Sequence, residues 1–359
     1  MAVITCEICI DSVAGARAAH QAGADRLELC ANLLEGGTTP SLGMTEAVIA
    51  AVPLPVMVMI RCRGGDFCYS PEEVDVMRRD IQSLRQTGIR GIVIGALTPD
   101  GDVDQDVCQA LVAAADGLEI TFHRAFDVGR SPDENLESII QLGCHRLLTS
   151  GCHSNAADGI AVIQQLVRQA EGRLSVMAGC GVSQQNVQRI IEQTGVREVH
   201  FSGSMTQTSP MRFRRTDVPM SSTVAPDEFL RKVTSLEIVT RICQLAKLDP
   251  SQLSQRPVTT ADLDVSLFHC CGNENLFPFQ CSTCQHPMVF CYECETLYAD
   301  LHDLQNTAAE VNHFDADRPI FVCPVCGYGF ESQFMRNPEY AVTQQSWLAA
   351  NLSGLLNRD

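Results

Sequence analysis

The chain has 359 residues, with 26 Lys and Arg against 43 Asp and Glu, a formal net charge of −17 and 18 cysteines. The deficit of basic residues holds on both sides of residue 247, −7 before it and −10 after it, so a phosphate backbone finds no basic surface and nucleic acid is excluded as a partner. No run of about 18 apolar residues occurs, which argues against a membrane span, and the start MAVITCEICIDS lacks the basic and long apolar regions of a signal peptide. The expected location is the cytoplasm, where cysteines act as metal ligands or buried thiols rather than as disulfides.

Residues 1–247 repeat one unit: a short apolar run, a polar or glycine-containing loop, then an amphipathic stretch. Eight runs occur in order: VITCEICI, RLELC, PVMVMIR, GIVIGAL, LEITFH, HRLLTS, LSVMAG and VREVHFS. Strands alternating with helices imply a parallel sheet, and eight units imply its closure into a (β/α)8 barrel. No G-x-G-x-x-G follows the first strand, which disfavours an open dinucleotide-binding sheet. Two helix starts are marked by Ser70-Pro71-Glu72-Glu73 and Ser131-Pro132-Asp133-Glu134, each with an N-cap serine, proline at the first helical position and glutamate two residues later. The stretch 226–246 reads as a last helix closing the ring.

Residues 248–263 are polar and read as a linker. From residue 264 to 359 the composition changes: 13 of the 20 aromatic residues and 8 of the 18 cysteines lie beyond residue 247. Three C-x-x-C pairs stand at Cys281/Cys284, Cys291/Cys294 and Cys323/Cys326. Two such knuckles complete a tetrahedral, all-thiolate zinc site, so a zinc-ribbon-like domain with a structural zinc on Cys281, Cys284, Cys323 and Cys326 is expected. Cys291 and Cys294 either replace one of these pairs or form a second site with His269, Cys270 or Cys271. The acidic, aromatic-rich composition suits docking on a protein partner.

In a (β/α)8 barrel the C-terminal strand ends surround the active site, and alternation decides which groups share the interior. Glu7 and Glu28 stand on the first two strands, Arg61 and Arg63 end the third, and His123 with Arg124 ends the fifth, with Asp127 beyond. Thr149 ends the sixth strand, and His200 and Ser202 end the eighth. Two carboxylates and an imidazole exchange protons, and arginines grip a carboxylate or phosphate in a fork. The loops at Gly179-Cys180-Gly181 and Ser202-Gly203-Ser204 offer backbone N–H groups to a phosphate. A soft-metal reading competes with this one. Cys6 and Cys9, three apart on a strand, point to opposite faces, but Cys9 shares a face with Glu7 and Cys30 with Glu28. Two thiols meeting across the first two strands are candidate ligands for Cu(I).

The segments EICIDS, ADRLELCANLLEGGTTPSLG, VMIRCRGGDFCYS, GALTPDGDVD, TFHRAFD, LLTSG and MAGCGVSQQN resemble the CutC family over about residues 3–245. The resemblance implies a (β/α)8 barrel, a homo-oligomer and an association with copper handling, with Cys9 and Cys30 in the segments where copper ligation is sought. Three readings follow: a copper homeostasis protein using Cys9 and Cys30, a barrel enzyme acting on a small anionic metabolite through Glu7, Glu28, His123 and Arg61, and an interaction module on a barrel scaffold.

Overall fold

A computed structural model describes residues 4–215, 218, 227–247, 257–268, 276–281, 283–291, 296–304, 313–315, 318–323, 325–326, 329–331, 340–350 and 352–356. The chain forms two compact units, Met1–Lys247 and Leu248–Asp359. In the first, β1 (Thr5–Ile10), β2 (Arg26–Leu29), β3 (Val56–Met59), β4 (Gly91–Ile94), β5 (Glu119–Phe122), β6 (Arg146–Thr149), β7 (Ser175–Gly179) and β8 (Glu198–Phe201) pair in parallel, each with the next. β8 returns to β1 with Glu7 opposite His200, which closes the barrel. The eight apolar runs are the eight strands.

Helices α1 (Val13–Gln21), α2 (Leu42–Ala51), α3 (Pro71–Leu84), α4 (Gln105–Ala115), α5 (Pro132–Gln141), α6 (Ile160–Ala170) and α7 (Val187–Thr194) lie between successive strands. The outward residues of the strands, among them Cys6, Ile8, Leu27, Leu29, Val58 and Val199, pack with helix residues such as Ala16, Val48, Ile81 and Ile190 in one large core. At α3 the Ser70 hydroxyl accepts from the Glu73 N–H while the Glu73 carboxylate accepts from the Ser70 N–H, a complete capping box. At α5 the cap position is filled by Ser131 and Pro132 follows, but the Ser131 hydroxyl makes no capping bond.

The stretch 226–246 is not one helix. Residues Leu230–Thr234 form β10, which pairs antiparallel with β9 (Ser204–Thr208), and only Leu236–Lys247 is helical, as α8. Val233 and Thr234 are β-branched, and Ser235 stops the strand and starts the helix, its hydroxyl accepting from the Ile238 N–H.

The second unit contains two three-stranded antiparallel sheets. One is β11 (Leu276–Gln280), β12 (Pro287–Cys291) and β13 (Thr296–Tyr298); the other is β14 (His313–Asp315), β15 (Arg318–Val322) and β16 (Gly329–Glu331). A short helix, α9 (Gln344–Ala349), carries Trp347 into a core with Phe268, Val289, Cys291 and Tyr298. Residues 257–263, expected as linker, belong to this unit. Pro257 bridges Thr343, and Val258 and Leu263 are buried in the same core. Two apolar residues in a polar stretch are too few to reveal packing from sequence.

Candidate functional site

Strand alternation divides the barrel interior into levels. At the N-terminal end Arg26 pairs with Glu7 and Glu198, and Arg146 with Glu119 and Glu198. These charges lie in one closed ion-pair network. Above it β1 and β2 bring Cys9 and Cys30 together, Sγ to Sγ 3.9 Å, and both pack with Met57, Met59 and Val93. The Cys30 thiol lies 3.6 Å from Glu28 Oε2, and His200 Nε2 lies 2.9 Å from the same oxygen. Across the pair, His200 Nε2 is 3.9 Å from Glu7 Oε1.

The electrostatics follow from burial in this small space. The contact with Cys9, and then desolvation, raise the Cys30 pKa well above the thiol range. Burial works against an ionised Glu28, but the facing His200 charge and hydrogen bonds from His200, Cys9 and Cys30 outweigh it and lower the Glu28 pKa. Burial likewise opposes a charged His200, yet Glu28 raises its pKa well above that of a free imidazole. Glu28 and His200 therefore form an ion pair beside two protonatable thiols. Glycines clear space around the imidazoles: a Cβ on Gly95 would lie 2.4 Å from His123 Cε1, and one on Gly179 would lie 2.5 Å from Leu148 Cδ1 and 3.3 Å from His200 Nδ1.

The two arginines take partners within the chain. β3 ends at Met59, so alternation stops before Arg63, and the two guanidiniums take different partners. Arg61 is 4% exposed and donates to the carbonyls of Glu35, Gly37 and Gly65 at 2.7, 3.1 and 2.6 Å, with its guanidinium over the Phe67 ring. Arg63 pairs with Glu73 and Asp66 and donates to the Cys68 carbonyl. The fork geometry expected to grip an anion is used here for carbonyls and carboxylates of the chain itself. His123 is also buried. Its Nδ1 accepts from the Ala125 N–H, and desolvation with the nearby Arg61 charge lowers its pKa to about 4, so it is a neutral imidazole.

Arg124, Asp127 and Thr149 form a structural group at the rim. Asp127 accepts from Thr149 Oγ1 at 2.5 Å, from the Ser150 N–H and hydroxyl, and from the Cys152 N–H, while Arg124 pairs with Oδ2, the oxygen that also takes the Ser150 hydroxyl. The carboxylate thus holds the β6–α6 loop and does not face the interior. Gly181, with φ +70°, and Ser202 stand in exposed loops after β7 and β8. Sequence reasoning missed Met57, Met59 and the floor of Arg26, Glu119, Arg146 and Glu198. Counting back by twos from Glu28 and His200 would have found Arg26 and Glu198, and PVMVMIR places both methionines on the Arg61 face.

In the second unit the knuckle 281–284 joins β11 to β12 and the knuckle 323–326 joins β15 to β16. Sγ of Cys281 lies 3.6 Å from that of Cys326, and Cys284 is 3.6 Å from Cys323, all four thiols within 4.8 Å. A tetrahedral ion with metal–sulfur bonds of about 2.3 Å needs sulfurs about 3.8 Å apart, so the four thiols fit one. Burial opposes the Cys281 thiolate, but the N–H groups of Cys284 and Thr283 turn toward its sulfur and lower its pKa to about 7. Cys291 takes no part. It faces the opposite side of β12, in the Trp347 core, because alternation separates it from Met288 and Phe290 on the knuckle side. Cys294, His269, Cys270 and Cys271 lie outside the described residues. No helix among the described residues is long and apolar enough to cross a membrane.

A family model described as the CutC family matches residues 4–205. The copper homeostasis protein cutC homolog of Mus musculus is 47% identical over 241 residues, 67% of this chain and 89% of the relative. The Homo sapiens homolog is 46% identical over the same length, and a CutC family protein of Bacteroides thetaiotaomicron is 46% identical over 242 residues and 97% of its own length. Among solved structures, the CutC of Streptococcus agalactiae superposes with a TM-score of 0.54 at 33% identity, covering 55% of this chain and 98% of the other.

Proposed function

The chain belongs to the CutC family, and from that premise we propose that the barrel is a copper homeostasis device that takes Cu(I) as cargo between the thiols of Cys9 and Cys30. The observation that carries this reading is the pair of inward thiols 3.9 Å apart with two methionines packed against them. Thiolate and thioether sulfur select Cu(I) over harder ions. Loading releases the thiol protons, and the ionised Glu28 carboxylate, 3.6 Å from the Cys30 thiol, is the acceptor beside the pair, His200 already carrying its own proton. The enzyme reading is less favoured, because Arg61 and Arg63 are spent on the protein's own carbonyls and carboxylates. The test is a competition titration against a colorimetric Cu(I) chelator. Cys9→Ser/Cys30→Ser is expected to bind one fewer equivalent of Cu(I), or to hold it at least about a hundredfold more weakly, a loss of about 3 kcal/mol. Unchanged binding in the double variant would remove the site.

For the second unit we propose a structural zinc on Cys281, Cys284, Cys323 and Cys326. An all-thiolate set leaves no open position for catalysis, and two small sheets need such a staple. Metal analysis of purified protein is expected to give about one zinc per chain, absent from Cys281→Ser/Cys323→Ser.

A further inference from the structure

Above the ion-pair floor, the barrel holds a second donor set that neither thiol belongs to. Glu7, Glu28 and His200 each offer one ligand atom, and these lie within 4.8 Å of one another. Glu7 and Glu28 are 0% and 2% exposed, yet Glu7 Oε1 and Glu28 Oε1 make no hydrogen bond. Glu7 meets Arg26 through Oε2, and Glu28 meets His200 and Cys30 through its own Oε2. A buried carboxylate oxygen without a donor is costly, and two of them beside one imidazole leave a gap in the satisfaction of this core. Arg26 cannot fill it, being shared with Glu198. His200, at 12% side-chain exposure, gives the set contact with solvent.

We propose that Glu7, Glu28 and His200 form a site for a divalent cation of the Mn²⁺, Fe²⁺ or Zn²⁺ class, adjacent to the thiol pair and sharing Glu28 with it. Two carboxylates and one imidazole are hard and intermediate donors, unlike the soft sulfurs of Cys9 and Cys30. One wall of the barrel thus offers two neighbouring sites of opposite preference. The cation would bring the two orphaned oxygens into one coordination sphere.

The proposal is independent of copper binding, and Mn²⁺ is the probe because thiolates compete poorly for it. The full-length reduced protein is titrated with Mn²⁺ under excess Mg²⁺, which occupies exposed carboxylates, and free Mn²⁺ is read by electron paramagnetic resonance. Wild type is expected to hold about one Mn²⁺ per chain, His200→Gln to hold it at least about tenfold more weakly, and Cys9→Ser/Cys30→Ser to hold it as wild type does. Glu7→Gln, of the same shape, gives a second reading should one variant fail to fold, and thermal melting reports which variants are intact. No Mn²⁺ retained by wild type, or equal retention by folded His200→Gln and Glu7→Gln, overturns the proposal and leaves the trio as an internal ion pair. Loss of Mn²⁺ in the double cysteine variant equal to that in His200→Gln also overturns it, since the two donor sets would then be one site.

Discussion

Arg61 and His123 are the two residues whose chemistry promised most and whose surroundings redirect it. Arg61 ties the loop after β2 to the loop after β3 through three carbonyls, and its own N–H and carbonyl pair with Thr39. Arg61→Ala is expected to cost about 2 kcal/mol in urea unfolding of the barrel, because three loop carbonyls, that of buried Gly37 among them, lose a charged donor. Arg61→Lys should recover little of this, since one ammonium cannot span three acceptors set by a planar fork. His123 gives a pH signature. Its folded pKa of about 4 lies below the free value near 6.5, so the unfolded chain takes up the proton first. Stability from this residue is complete above pH 6.5 and declines as pH falls toward 4, by about 3 kcal/mol in total. His123→Gln should flatten that part of the stability curve. His200 does not contribute there: its pKa is raised, so it is protonated in both states below pH 6.5, and its share is lost only as pH rises.

At the level of elements, local signals were legible where one residue decides the outcome. The eight strands are visible as apolar runs, and the α3 cap as Ser70 and Glu73. The same spelling at α5, with Ser131 at φ −128°, ψ 103°, does not produce a capping bond. Thermal unfolding should therefore separate the two: Ser70→Ala is expected to cost about 1 kcal/mol and Ser131→Ala less than about 0.5 kcal/mol. The β9–β10 hairpin escaped notice because its strands are 21 residues apart and its antiparallel partner is not local. Alternation identified Cys9 and Cys30 as neighbours on β1 and β2. It failed at Arg63, where the chain leaves β3 and turns at Gly65 with φ +84°. The side-chain partners of Arg61, and the commitment of Asp127 to the β6–α6 loop, depend on contacts far along the chain and had no sequence signal.

For the whole molecule, the two units have different reasons to be stable. The barrel rests on a large apolar core, whereas the second unit combines small clusters with four thiols. Calorimetry of the full chain is expected to show two transitions. A strong zinc chelator, or Cys281→Ser/Cys323→Ser, should lower or abolish that of the second unit and leave the barrel transition in place. The charge is also shared unequally: residues 248–359 carry −10 with 4 basic residues, so screening by salt should affect that unit more per residue. The ion pairs beneath the thiols carry a last consequence. Arg26, Arg146, Glu7, Glu119 and Glu198 fill the N-terminal end of the barrel with paired charge and so form a floor beneath the thiols. For an ion bound as proposed above that floor, the way in and out would lie on the side of His200, whose side chain keeps 12% exposure, so loading and unloading would share one route.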